Sequence, residues 1–271
     1  MLKSSIVKKS DFDTQNFKRL TSELHESWRY HRKLWEFVKI AETLEILNKL
    51  KPDNCGLGFG VGTEPLPAYF ASKGCSILAT DQPSTNTNAA NWTGSNQYCN
   101  ELNDLNKTNI CETTIFNKLV NFRPVDMNWI PIDLPKFDFI WSACALEHLG
   151  TLQHGLWFIL RTLSLLKPGG VAVHTTEFNL SSNDATNDYH ANNIYRQKDI
   201  QTLNRTVTDL GFSMYTDFTR ETHEYDTYVD RGTCPGFNDG YSKPHLNLQI
   251  DSFDATSIIL IISKPVNDQR L

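Results

Sequence analysis

The sequence predicts an α/β fold, a parallel sheet wound with helices on both faces, from three observations. Strand-like apolar runs alternate with helix-period segments from about residue 54 to 263. The stretch Gly56-Leu57-Gly58-Phe59-Gly60-Val61-Gly62 places four glycines at alternate positions, and Leu66, Tyr69 and Phe70 follow at helical spacing. The next apolar run, Cys75 to Thr80, ends on Asp81. Glycine costs backbone entropy and packs nothing, so the alternation predicts sharp turning or a close ligand rather than core packing. A carboxylate ending the second strand, roughly 20 residues past such a loop, suits a bidentate grip on ribose hydroxyls. A plain tight connection would also use such glycines. Neither G-x-G-x-x-G nor G-x-x-x-x-G-K-[ST] is present, which excludes the usual pyrophosphate and triphosphate loops.

Before that unit, residues 1–20 are polar, mixed in charge and without a sustained period, and are expected to form a loose arm. From Ser27 to Leu50 the residues Leu34, Phe37, Val38, Ala41, Leu44 and Leu47 recur every three or four positions and predict an amphipathic helix, ended by Lys51-Pro52. Trp28, Tyr30, His31 and Trp35 crowd its first half. Aromatics there serve as core or as ligand contacts, and Trp35 is a candidate substrate contact. After Asp81, Gln82 to Gln97 is rich in Asn, Thr and Ser around Trp92 and reads as a loop. Two short helical patterns follow, Tyr98 to Leu105 and Thr113 to Val120, then a strand over Phe122 to Met127. Phe137 to Cys144 reads as a buried strand. Leu152 to Leu166 reads as a helix broken by Lys167-Pro168-Gly169-Gly170, and Val171 to Thr176 as the next strand. Ile200, Leu203, Val207 and Leu210 form a helix face closed by Gly211. Strands at Phe212 to Phe218 and Ser257 to Ser263 flank the irregular stretch Thr222 to Asp251.

Length and composition fit one large domain with appendages. The chain has 271 residues, 39% of them hydrophobic, enough for a substantial core. Its net charge of −5 argues against general nucleic-acid binding. The six cysteines form no C-x-x-C pair and no metal-ligand spacing, which fits reduced thiols in a cytoplasmic protein. No apolar run approaches the roughly 18 residues needed to span a bilayer. Asp226 and Asp230 with His190, His223 and His245 lack the fixed spacing of a metal site, so no metal is expected.

Three separated motifs converge on one family. The loop Gly58 to Gly62, the acid Asp81, and Phe137-Asp138-Phe139-Ile140-Trp141-Ser142 through Leu146-Glu147-His148-Leu149 to Lys167-Pro168-Gly169-Gly170 together resemble the class I S-adenosylmethionine-dependent methyltransferases. The resemblance spans roughly residues 54 to 263. More narrowly, Gly-Phe-Gly-Val-Gly-x-Glu-Pro-Leu-Pro with His174 to Ser182 looks like a subgroup associated with bacterial glycan biosynthesis.

The resemblance implies a Rossmann-like seven-stranded sheet in the order 3-2-1-4-5-7-6, last strand antiparallel, over residues 52–271. Residues 1–51 would then be an N-terminal arm and helix acting as a lid, and 222–251 a substrate-side insertion. It implies S-adenosylmethionine as cofactor. Gly60 and Gly62 would let the backbone approach its methionine part, Asp81 with Gln82 would meet the ribose, Asp126 and Met127 would flank the adenine, and Ser142 and Ala143 would line the methionine side. Gly58 and Phe59 complete the loop. Two departures stand out: Gly58 lies where the family usually has an acid, and Glu64 where it often has a third glycine. The ammonium contact would therefore come from another group, Glu64 or a residue of the N-terminal helix.

Methyl transfer to a hydroxyl needs an aligned nucleophile and removal of its proton, a task for a histidine or carboxylate at the mouth of the site. His148, just after the fourth strand, is the first candidate base. Glu177 is the second, and His174 and Asn179 are candidate substrate contacts at the end of the fifth strand. The expected activity is an O-methyltransferase acting on a sugar, nucleotide sugar or glycan end. Alternatives are a methyltransferase for another small hydroxylated, amino or carboxylate metabolite, and a cofactor-binding module without catalysis.

Overall fold

The computed structural model describes residues 2–83, 102–106, 108–189, 192–232 and 237–266. Its strands are β1 (Ser4–Ile6), β2 (Cys55–Phe59), β3 (Ser76–Asp81), β4 (Val120–Pro124), β5 (Phe137–Ala143), β6 (Leu166–Asn179), β7 (Thr216–Asp217), β8 (Val229–Asp230), β9 (Asn247–Ile250) and β10 (Phe253–Ser263). They form one sheet in the order β4-β3-β2-β5-β6-β10-β1-β7, with β9 also pairing β10 and β8 pairing β9. β4, β3, β2, β5 and β6 pair in parallel, and β10 runs antiparallel to β6 from Ala255–Asn179 to Ser263–Val171. Up to that strand the order is the one expected.

The edge beyond β10 differs. Ser213 bridges Ser263 directly, but β1 then wedges in, pairing Ser5 and Ile6 with Ile259 and Ile258, and carries β7 as its parallel outer neighbour. The strand expected over 212–218 thus shrinks to two residues. The arm expected to be loose is instead built into the sheet and core. After β1 comes a short 3-10 helix (Lys9–Asp13), then α1 (Gln15–Glu23), whose cap Thr14 accepts the Phe17 N–H through Oγ1 at 3.1 Å. Phe12, Phe17 and Leu20 are fully buried. Their spacing shows no sustained period because it crosses two short elements of different geometry.

The helix α2 (Arg32–Ile46) is shorter than its apolar pattern and starts at His31, whose Nδ1 accepts the Lys33 N–H. With α1, α3 (Leu66–Ser72) and α4 (Thr113–Leu119), it covers one face of the sheet, where Val38, Ala41, Phe70 and Phe116 join Phe139, Trp141, Val171 and Val173. The other face receives α5 (Leu152–Leu163) and α6 (Gln197–Asp209), where Phe158, Ile159, Ile200 and Leu203 meet Ala172, Ile258 and Leu260. Successive β6 residues therefore enter opposite cores, as the period of two requires. Lys167-Pro168-Gly169-Gly170, expected as a helix break, forms the irregular start of β6, where the register against β5 shifts between Phe137 and Phe139. The loop around Trp92, and Tyr98 to Glu101 of the helical pattern after it, lie outside the described residues; Leu102–Asn106 is a 3-10 helix.

Residues 222–251 carry a short helix α7 (Glu224–Thr227), β8 and β9. This stretch is stitched to the entry of α2 by Tyr30 N–H to Gly240 O (2.9 Å), His245 N–H to Tyr30 O (2.8 Å) and Arg32 N–H to His245 O (2.9 Å).

The glycine alternation has two causes. A Cβ on Gly56 would lie 2.4 Å from the Phe139 ring, and one on Gly58 2.4 Å from the Trp141 ring, so these two are glycine because aromatic rings of β5 lie across β2. Core packing does explain them, contrary to expectation. Gly60 and Gly62 have φ of +59° and +50° and form the left-handed turn itself. Gly58→Ala should therefore cost about 1–3 kcal/mol by overpacking, read as a lowered urea midpoint. Wild-type stability would mean that the Trp141 ring yields freely.

Candidate functional site

The carboxyl ends of β2, β3, β5 and β6 converge, and side chains of α2 lean over them. At the first pair, Asp81 Oδ2 accepts the Gly62 N–H at 3.0 Å and Oδ1 accepts the Gln82 N–H at 2.7 Å. The acid is thus aimed across the glycine turn. A Cβ on Gly60 would stand 3.0 Å from the Ala145 Cβ and 3.4 Å from the Met127 Sδ, so the turn abuts the loops that follow β4 and β5. Asp126 accepts the Asn128 N–H, closing the turn that holds Met127. Phe59 is buried against Phe158, its centroid 5.0 Å away, and its side chain belongs to the core rather than the crevice. Glu64, just before α3, accepts the Trp141 indole N–H at 2.6 Å. Burial pushes its carboxyl up to about 8, with Asp81 and Glu36 adding to that and Trp141 and Lys33 opposing it.

At the second pair of strands the structure assembles a buried ionic cluster. Arg32 Nη2 lies 2.6 Å from Glu177 Oε1, and Nη1 3.3 Å from Glu36 Oε1 and 3.1 Å from Ser257 Oγ. Lys33 Nζ meets the other Glu36 oxygen at 3.0 Å. Cys144, in a left-handed conformation at φ +50°, donates its thiol to Glu36 at 3.0 Å. Burial alone would raise Glu36, but Lys33 and then Arg32 hold it down at about 2. Glu177 goes the other way: burial raises its proton affinity, Arg32 opposes this, and Glu147 and Glu36 reinforce it. Among the described residues, Cys144, Glu147 and Glu177 bring their donor atoms within 4.8 Å of one another, a spacing a metal could use. Here the guanidinium of Arg32 already supplies the positive charge.

His148 ends the 3-10 turn Leu146–His148 after β5. That turn is anchored from behind: Thr176 Oγ1 donates to Glu147 Oε2 at 3.0 Å, and Asn193 donates to the Glu147 carbonyl through its N–H and its Nδ2. The second Glu147 oxygen lies 3.9 Å from His148 Nε2, and the His148 side chain keeps 24% of its surface exposed.

Four expected contacts lie elsewhere. His174 is completely buried on the α5 side, its Nδ1 2.8 Å from Ser142 Oγ and its ring against Phe158, and burial lowers its pKa to about 3. The same bond turns the Ser142 side chain into the core. Trp35 is completely buried and donates its indole N–H to Asp11 at 2.7 Å. Asn179 spends its amide on the following loop, donating to Ala185 O and Thr186 Oγ1 and accepting from the Ser181 and Ser182 N–H groups. Ala143 sits at the end of β5 beside the cluster. Arg32, Lys33, Glu36, Cys144 and Glu147 are members that the sequence reading did not single out individually. The available signal was Glu36, a charge on the buried stripe of α2 with cations three and four residues before it.

Comparison with known proteins finds no matching family model and no matching curated protein. Solved structures do match. A putative sarcosine dimethylglycine methyltransferase from Galdieria sulphuraria superposes with a TM-score of 0.53 at 13% identity, covering 96% of this chain and 92% of that one. Magnesium protoporphyrin IX methyltransferase from Synechocystis PCC 6803, with S-adenosylhomocysteine bound, gives 0.47 at 12% identity over 94% and 97% of the two chains. The first of these shows that the chain shares an α/β Rossmann-like methyltransferase fold.

Two outcomes follow from the site. Arg32→Leu leaves Glu36 and Glu177 buried without their shared cation and should cost about 3–5 kcal/mol, measured by denaturant unfolding. Glu64, whose folded-state affinity for a proton exceeds that of an unfolded glutamate, stabilises the fold fully only below the unfolded pKa. That contribution is lost as pH rises from about 4.5 to about 8. Glu64→Gln should flatten the fall in stability over this window, and an unchanged pH profile would contradict it.

Proposed function

We propose that this protein is an S-adenosylmethionine-dependent methyltransferase that methylates a hydroxyl of a sugar, nucleotide sugar or glycan end. The observation that carries the cofactor reading is Asp81 bonded across the Gly60–Gly62 turn. Its oxygens accept the Gly62 and Gln82 N–H groups, and an ionised carboxylate, an acceptor only, has the chemistry that a pair of ribose hydroxyls requires. Gly60 and Gly62 leave bare backbone beside it, and Met127 with Asp126 offers an apolar face and an acceptor for a purine. Bound there, the cofactor supplies a methyl group on a sulfonium.

The chain's own task is to orient the acceptor, exclude water and take the hydroxyl proton. His148 is the group for that last step. It is accessible, lies directly after β5, and has the Glu147 carboxylate behind it to stabilise the imidazolium. Glu177 is buried and clamped by Arg32, and in this reading it positions Arg32 at the acceptor end. The entry of α2 and the 222–251 stretch, joined by their three backbone bonds, form the cover over the acceptor side. The sugar assignment is supported by the sequence resemblance around the glycine loop and by the presence of a base, which a thiol acceptor would need less. The structural neighbours named above carry other acceptors in their names.

His148→Ala should reduce methyl transfer from labelled S-adenosylmethionine to a panel of sugars and nucleotide sugars by about 10²–10⁴-fold, with cofactor affinity nearly intact. Asp81→Ala should instead weaken cofactor binding by about 1.5–3 kcal/mol. Full turnover by folded His148→Ala would remove the role from His148, and unchanged cofactor affinity in Asp81→Ala would sink the ribose assignment.

A further inference from the structure

Glu64 is a buried carboxyl with one polar contact and no ion-pair partner among the described residues. It is 7% exposed, and that contact is the Trp141 indole N–H. The charges around it act at longer range: Lys33 and Glu36 from α2, and Asp81 from β3. An acid buried this way is costly, yet the frame around it is built with care. Gly58 has no side chain, so the Trp141 ring can lie across β2, and Phe70 holds that ring edge-on with centroids 5.0 Å apart. The ring's N–H is then directed at Glu64, four residues past Gly60.

Two carboxyl groups therefore border the glycine turn. Asp81 is committed to the turn's N–H groups and suited to hydroxyl donors. Glu64 is the acid left without a cation. S-adenosylmethionine brings two positive centres, an α-ammonium and a sulfonium, against a single carboxylate of its own.

We propose that Glu64 receives the α-ammonium of the cofactor and enters the complex as a carboxylate, its proton passing to the solvent as the cofactor binds. The inference rests on the cofactor reading above. In balance, a neutral Glu64 carboxyl and a cationic ligand give a carboxylate–ammonium pair and one proton in the buffer. Because burial places the carboxyl at about 8 in the free protein, it carries its proton at pH 7. An ammonium in contact pulls a carboxyl down by about 1–3 units, enough to ionise about half of it or more at pH 7. Asp81 and Glu36 favour the proton-bearing form in the free protein and Lys33 the ionised one, so the incoming charge tips a balance that the neighbours leave near neutrality.

The test is titration calorimetry of the full chain with S-adenosylmethionine at pH 7, in phosphate and in Tris, whose heats of ionisation differ. The wild type should show unequal enthalpies corresponding to release of roughly 0.4–0.9 proton per cofactor. Glu64→Gln should erase the difference and weaken binding by about tenfold or more. Equal enthalpies in the two buffers would overturn the proposal without any variant, so a Glu64→Gln protein that fails to fold does not shield it. Weakening by less than about tenfold in a folded Glu64→Gln, or a buffer difference that persists in it, would overturn it too. No binding by the folded wild type would overturn the cofactor reading itself, and this inference with it. Binding without proton release overturns only the inference.

Discussion

The orientation of everything above the sheet depends on Arg32, held between Glu36 of its own helix and Glu177 of β6. Glu36 is completely buried, and a carboxylate there is tolerable only with Arg32, Lys33 and Ser257 all in place. Turning α2 by a single residue would carry Glu36 into the apolar layer of Val38 and Ala41 and separate Arg32 from Glu177. The cluster thus sets the register of α2 over β5, β6 and β10, and with it the entry of the helix, to which the 222–251 stretch is sewn. Hydrophobic residues of similar volume could fill the same space at equal or lower cost. What they could not provide is charge at the carboxyl ends of β5 and β6, where an α/β sheet presents its ligands.

The central sheet was legible because its strands obey simple rules. Phe137–Ala143 is apolar on both faces and sits in the middle of the sheet, and the unit from Cys55 to Asp81 folds as its pattern of strand, turn, helix and strand demands. The edge was not legible. β1 is three residues long, and Val7, Phe12 and Phe17 enter one core while Ile6 enters the other, each turned inward by a different short element or connection. Periodicity detects one geometry sustained over a window, and no window of the first twenty residues holds one.

Within the site, the residues aligned by a single local rule were readable. Asp81 follows from its place at the end of β3. Those that needed parity were misread, although parity was available: His174 and Glu177 lie an odd number of positions apart on one strand and must face opposite layers. Glu177 joins Arg32 on the α2 side with Thr175, which accepts the Cys144 N–H, while His174 enters the other core against Phe158. The pairing of Arg32 with Glu177, and of Glu147 with Thr176, was beyond any local rule, since each is made only through tertiary contacts with β6.

Two features of the glycine loop, the bare Gly58 and the buried acid Glu64, prove to be one structural feature. A side chain at position 58 would occupy the space of the Trp141 ring. With that ring displaced, Glu64 would lose its one hydrogen-bond donor and be left as a bare buried carboxyl. Conversely, a glycine at 64 would leave the indole N–H of a fully buried tryptophan unsatisfied, at a cost comparable to a lost hydrogen bond. Each of the three residues therefore requires the other two, and a change at any one of them is to be judged with its partners rather than as a lapse from a motif. The bare strand position and the acid at the start of the helix are thus linked through one indole ring.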